Sequence, residues 1–203
     1  MWIPKNILAI SAHADDIELG AGGTVHKLSQ YGSTVYSFVF STLKNKVIRM
    51  PEIYKASKEM GIKHDNVVVL DYPNREFNKY RQDILQNLID LSKDIEPDVV
   101  FTHTTQDRHQ DHEVMVAESI RAFKSTCILG FEAPWNMTEA ILPMTSKITE
   151  QDLDAKIKAV LSHETECYRH YINESFVRSL ATVRGQSIGG QYGESFEVIR
   201  WVM

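Results

Sequence analysis

Cysteine is scarce in this chain of 203 residues, with only Cys127 and Cys167 present, which argues against a disulfide framework and leaves two thiols expected to be buried. Glycine (10) and proline (6) are too few for a collagen-like or low-complexity chain. No apolar run nears the ~20 residues that a bilayer-spanning helix needs. The start, Met1 to Asn6, lacks the charged head and cleavage site of a signal peptide, so residence in the cytoplasm is expected. A basic excess is also missing: 22 Lys and Arg face 27 Asp and Glu, for a formal net charge of −5. The counterion-displacing stripe of a nucleic-acid binder is therefore not expected. What is present is ordinary for a folded chain, 43% apolar and 24% charged, and long enough to bury one core without staples. One domain over residues 1–203 is expected. The unusual component is histidine: there are eight, and His103, His109 and His112 fall within ten residues.

Strand and helix patterns alternate through the first half. Asn6–Ser11 is a continuous apolar run ending in polar residues, as in a strand covered on both faces. Gly22–Tyr31 predicts a short helix closed by Gly32, and Thr34–Ser41 a second strand. Ile53, Ala56 and Met60 share a helical face, Val67–Leu70 is a third strand, and Ile84, Leu85, Leu88, Leu91 and Ile95 mark a longer helix stopped by Pro97. Asp98–Thr102 predicts a fourth strand, and Val116, Ile120 and Phe123 the helix after it. In the less regular second half, Cys127–Gly130 and Phe196–Val202 read as strands, and Thr149 with Asp152 as a capping box opening a helix. The order predicts an α/β fold, Rossmann-like, with a mostly parallel sheet and helices on both faces.

Two segments collect ligand-type residues: Ala12-His13-Ala14-Asp15-Asp16 and Asp107-Arg108-His109-Gln110-Asp111-His112. Each follows a predicted strand, the first and the fourth, where the ligand crevice of an open α/β sheet lies. Taken alone, an Asp-Asp pair is a helix N-cap with a solvated neighbour, and the His103–His112 stretch a polar loop. Two such clusters at matching strand ends instead point to a metal site. His13, Asp16 and His112 supply the two nitrogens and one oxygen that suit catalytic zinc, which keeps an open position for water. Zinc lowers the pKa of that water from about 15.7 to about 7, and Asp15 is the spare carboxylate placed to take its proton. His109 is suited to hold a developing oxyanion or to protonate a leaving amine, with Asp111 or Asp107 holding its tautomer. Gly20-Ala21-Gly22-Gly23-Thr24-Val25 fails the dinucleotide fingerprint, because Val25 stands where its last glycine belongs. The glycines instead let a helix start close to the sheet.

These residues resemble the LmbE-like family of zinc-dependent N-acetylglucosaminyl deacetylases related to PIG-L. The signature A-H-P-D-D-x-x-x-G-x-G-G is matched from Ala12 to Gly23, with Ala14 in place of proline, and H-x-D-H is matched by His109-Gln110-Asp111-His112. Weaker matches are Arg49 through Met60-Gly61, Lys156 to His163, and Arg184-Gly185 through Tyr192-Gly193-Glu194-Ser195-Phe196, so the likeness runs along nearly the whole chain. The resemblance implies an LmbE-like fold, one Zn²⁺ per chain on His13, Asp16 and His112, and Asp15 as general base. It implies His109 as oxyanion or acid residue buttressed by Asp111, with Arg49 as a substrate contact. Asn74-Arg75 stands where the family has Asp-Gly for sugar hydroxyls, which makes Asn74 a second substrate-side residue. Thr42–Val47 lacks the common Gly-Glu pair, and His163-Glu164-Thr165-Glu166 replaces H-x-S-Q. The expected activity is hydrolysis of the N-acetyl group of an N-acetylglucosamine-type sugar or conjugate, releasing acetate. The alternatives are a zinc amidase on another acyl amide and a catalytically silent sugar-binding homologue. The expected partner is a small-molecule amino sugar, with no nucleic acid and no membrane span, and homo-oligomerisation is left open.

Overall fold

A computed structural model describes residues 2–42 and 45–202. The chain runs β1 (Asn6–Ser11), α1 (Asp16–Gln30), β2 (Thr34–Val39), α2 (Lys46–Glu59), β3 (Val67–Val69), α3 (Arg81–Ile95), β4 (Val99–His103), α4 (Gln110–Ala122) and β5 (Cys127–Phe131). It ends with β6 (Met144–Ile148), α5 (Glu150–Leu161), α6 (Glu174–Gln186) and β7 (Tyr192–Arg200). One sheet orders the strands β3-β2-β1-β4-β5-β7-β6. The pairs from β3 to β5 are parallel, while β7 runs antiparallel to both β5 and β6. This is the expected α/β architecture, with an antiparallel edge added.

Apolar alternation explains the layers. In β1, Ile7 and Ala9 face a core shared with Ile17, Ala21 and Val25 of α1, Ile53, Ala56 and Met60 of α2, and Ala159 of α5. Leu8 and Ile10 face the other core, with Ile84 and Leu88 of α3 and Val114 and Met115 of α4. Helices thus cover both faces, which is why β1 is apolar at every position after Asn6 up to Ser11. The helix α1 begins at Asp16 rather than Gly22. Its glycines permit contact rather than breakage: a Cβ on Gly20 would lie 2.2 Å from Phe131 Cδ2. The Thr149/Asp152 capping box opens α5 as expected.

The elements β6 and α6 were not predicted from the sequence. Cys127 is buried as expected, but Cys167 is exposed, on the loop between α5 and α6. Within the Thr42–Val47 stretch, residues 43 and 44 lie outside the described residues. Among the described residues, no helix is long and apolar enough to cross a membrane.

The placement of the site follows from the strand order. The chain leaves β1 for β2 and β3 on one side, then returns to β4 on the other, with Ile7, Leu8 and Ala9 paired to Val99, Val100 and Phe101. The order in which successive strands are laid down reverses between the parallel neighbours β1 and β4, and crevices of this fold open at that point outside the carboxyl ends of the strands. The two His/Asp segments are the loops leaving those two ends.

Candidate active site

Residues about a hundred positions apart meet at this crevice. His13 lies on the loop after β1, Asp15 is the N-cap of α1, Asp16 is the first residue of α1, and His112 sits in the first turn of α4. His13 Nδ1 is 3.1 Å from His112 Nε2 and 3.6 Å from Asp16 Oδ2, and His112 Nε2 is 3.5 Å from Asp16 Oδ1. All three side chains are buried.

Hydrogen-bond partners assign the imidazole tautomers. His112 Nδ1 faces Asp107 Oδ2 at 2.7 Å, which calls for a proton on Nδ1 and a lone pair on Nε2. His13 Nε2 faces Asp111 Oδ2 at 3.1 Å, which calls for a proton on Nε2 and a lone pair on Nδ1. Two lone pairs and a carboxylate therefore converge on one point, an arrangement that repels itself unless a cation lies between. A tetrahedral centre with bonds of about 2.1 Å has donor–donor edges of about 3.4 Å, and the separation of the two imidazole nitrogens and the distance from each to one of the two Asp16 oxygens are of that size. The donor set fits a divalent ion of the zinc type.

Burial holds the His13 and His112 imidazoles below their ordinary pKa, which keeps them neutral and ready to ligate. Burial also pushes the Asp16 carboxyl well above the usual range, with Asp15 beside it acting in the same direction. A cation is the natural counterweight to two adjacent buried carboxylates.

His103 and His109 complete the cluster. The donor atoms of Asp16, His103 and His112 lie within 4.8 Å of one another, as do those of His13, His109 and His112. His103, however, is fully buried at the end of β4, and its Nε2 accepts the Ala12 N–H at 3.1 Å. Its ring stacks on His112 at 3.8 Å, so it orients a ligand with its own lone pair already engaged. No role for His103 was assigned from the sequence, although it heads the histidine-rich stretch. His109 caps α4, its Nδ1 accepting the Asp111 N–H at 3.2 Å. That leaves Nε2–H as a donor, and burial lowers the pKa of the ring. Asp15 occupies an N-cap position without making a side-chain cap bond, so its carboxylate is not spent on the helix.

Two expectations change. Asp111 meets the His109 ring through its backbone N–H and not through its carboxylate. Its carboxylate accepts from the Arg75 N–H at 2.7 Å and the Phe77 N–H at 3.3 Å and faces His13, because α4 turns it away from its own cap residue. Arg49 is not at the cavity. It is 2% exposed, donates through Nη1 to Thr165 Oγ1 at 2.6 Å, and pairs through Nη2 with Glu166 at 3.1 Å and through Nη1 with Glu52 at 3.6 Å. The polar Thr165 and Glu166 on the loop after α5 draw it inward.

Asn74 does line the cavity, a space of about 190 Å³ that also touches His13, Asp15, Asp16, His109 and His112. Its Oδ1 is buried and has no hydrogen-bond partner among the described residues. The remaining wall comes from residues that the sequence did not single out. Trp135 stacks on Tyr171 with ring centroids 3.9 Å apart and planes 5° apart, and Arg169 is tied to Glu166 and, at 2.7 Å, to the Tyr171 hydroxyl. Burial, and next Asp15, push the Tyr171 phenol up to about 12. No motif links these three residues, which lie on loops far from both signatures.

Comparison with known proteins finds relatives in both sequence and fold. An uncharacterised deacetylase of Escherichia coli K12, YaiS, is 29% identical over 171 residues, covering 79% of this chain and 91% of that protein. The solved N,N'-diacetylchitobiose deacetylase of Pyrococcus horikoshii shares the fold with a TM-score of 0.76 at 22% identity, over 97% of this chain and 84% of its own. The fold also serves other chemistry, since GalB of Pseudomonas putida, a 4-carboxy-2-hydroxymuconate hydratase, matches with a TM-score of 0.82 at 19% identity over 98% of both chains. The family model PIG-L, described as GlcNAc-PI de-N-acetylase, matches residues 8–123, a span holding both His/Asp clusters, and the chain belongs to that family.

Proposed function

We propose that residues 1–203 form one domain of a cytoplasmic, zinc-dependent hydrolase that removes the N-acetyl group from an amino sugar of the N-acetylglucosamine type and releases acetate. The observation carrying this reading is the convergence of His13 Nδ1, His112 Nε2 and the Asp16 carboxylate beside Asp15, a carboxylate that caps nothing. Membership of the PIG-L family supports the choice of amide and sugar.

One zinc ion per chain, held by His13, Asp16 and His112, would supply Lewis acidity toward the amide carbonyl and lower the pKa of water. Asp107 and Asp111 keep the two imidazoles in the ligating tautomer. Asp15 takes the proton of the attacking water as its oxygen bonds to the acetyl carbon. The His109 Nε2–H donates to the carbonyl oxygen as it gains charge. As the carbon–nitrogen bond breaks, the proton held by Asp15 passes to the departing amine, and the acetic acid left behind ionises to acetate. The sugar has an apolar face to rest on in Trp135 and Tyr171, and the unpartnered Asn74 Oδ1 accepts from a hydroxyl.

A panel of N-formyl, N-acetyl and N-propionyl glucosamines, together with non-sugar acetamides, tests this reading by the acid and amine released. Acetate from the acetylated sugars, at least tenfold ahead of the other compounds, is expected. Equal turnover of other acyl groups or of non-sugar amides would favour a general amidase. Binding of the sugars with no acid released would favour a silent sugar binder.

A further inference from the structure

The turn after β3 carries a residue poorly suited to its backbone. Arg75 has φ of 65°, and only Glu96 shares a positive φ among the described non-glycine residues. A long side chain is strained in this left-handed region, where glycine is not. The turn itself does not need arginine. Its two contacts to α4 use backbone atoms only: the Arg75 N–H donates to Asp111 Oδ2 at 2.7 Å, and the Arg75 carbonyl accepts from Gln110 Nε2 at 3.0 Å. Glycine would make both without strain. A strained residue retained beside a cavity points to use of its side chain.

That side chain is exposed, lines the same cavity as His109 and Asn74, and pairs with no carboxylate among the described residues. Arg169, the other arginine lining the cavity, is engaged by Glu166, which leaves the Arg75 guanidinium as the one there without an ion-pair partner among the described residues.

We propose that Arg75 is a specificity-determining residue that selects amino-sugar substrates carrying an anionic substituent, a carboxylate or a phosphate, held by its guanidinium while the acetamide lies at the His/Asp cluster. The inference rests on the deacetylase reading for the acetamide end and adds the charge of the other end. A planar guanidinium with free donors is suited to both anions.

The test compares zinc-loaded wild type with Arg75→Gly, a change that suits the turn. Both are given N-acetylglucosamine, its 1-phosphate and 6-phosphate, and N-acetylmuramate, with kcat/KM and calorimetric Kd measured for each. The wild type is expected to favour at least one anionic sugar over the neutral one by ~10- to 100-fold, the scale of a charge-assisted contact. The arm that shows the preference distinguishes phosphate from carboxylate. In Arg75→Gly most of that ratio disappears, chiefly through KM and Kd, while the melting temperature holds or rises. A preference that survives the substitution, or no preference in the wild type, overturns the proposal. Failure of the deacetylase reading looks different: no sugar yields acetate, while the Arg75-dependent preference persists in Kd.

Discussion

Asp111→Asn distinguishes two roles for one residue, buttress of His109 or holder of His13. The wild-type carboxylate faces three donors: His13 Nε2 at 3.1 Å, the Arg75 N–H at 2.7 Å and the Phe77 N–H at 3.3 Å. An amide offers one oxygen, so its NH2 group must face at least one of these donors. A buried donor left unsatisfied costs about 1–3 kcal/mol, which lowers the melting temperature of the metal-free protein. Loss of the group that orients a ligating imidazole typically weakens metal binding by ~10- to 100-fold, or about 1.4–2.7 kcal/mol. Competition against a chromophoric zinc chelator measures the affinity, and acetate release at saturating zinc measures what remains of catalysis. The structure predicts weakened zinc binding with most of kcat recovered once the site is filled. Unchanged zinc affinity with kcat reduced a hundredfold would refute this reasoning and return Asp111 to His109.

Arg49→Ala should leave the buried Glu52 without its cation and take from Glu166 one of its two arginines, Arg169 remaining, and destabilise the fold by about 3–5 kcal/mol, read by thermal or urea unfolding. An unaltered melting temperature with a raised KM would instead make Arg49 a substrate contact. Asp152→Asn should cost about 1 kcal/mol at neutral pH through the α5 cap. Burial raises the Asp152 carboxyl, but hydrogen bonds from His26 and Thr149 outweigh it and hold the pKa below the ordinary value. A depressed folded-state pKa gives stability above the unfolded value near ~3.9 that is lost as pH falls through the folded one. The melting curves of wild type and variant should therefore draw together as pH falls below about 4, and a gap that does not narrow with falling pH would contradict the assignment.

What was legible in the sequence, and what was not, follows from the range of each physical signal. The strands of the parallel core announce themselves because burial on both faces forces continuous apolar runs, so β1 matches its predicted Asn6–Ser11 bounds. The edge strand β6 is half-buried and reads Met-Thr-Ser-Lys-Ile, with no apolar alternation to reveal it. In α6 the buried face consists of Val177, Ala181 and Gly185, side chains too small to mark a helical stripe, and Gly185 is needed because a Cβ there would meet the Tyr192 backbone at 2.6 Å.

At the site, spacing disclosed His13, Asp15, Asp16, His109 and His112, since short motifs on two adjacent strand ends carry their own geometry. Which carboxylate faces which imidazole depends on how α4 turns its first residues, and that is a tertiary fact. Arg49 was expected at the cavity because the resemblance carried it over as a substrate contact, and its burial against Glu52, Thr165 and Glu166 is again a tertiary fact. Trp135, Arg169 and Tyr171 reach the cavity on long connections with no periodic pattern, so nothing local distinguished them. The C-terminal motif likewise proves to be scaffold: Arg184 forms a two-pronged pair with Glu132 at 2.9 and 2.7 Å, and Glu194 meets Lys156 at 2.6 Å in the interior.

The central claim is that a zinc-binding His/Asp trio works with Asp15 as the base. It is tested most directly by acetate release from N-acetylglucosamine conjugates by wild type and Asp15→Asn at matched zinc content. The account predicts one zinc per chain in both proteins, with turnover in the variant reduced by ~10²-fold or more, the usual scale for a lost general base. Equal acetate release from the two proteins at equal zinc content would contradict it.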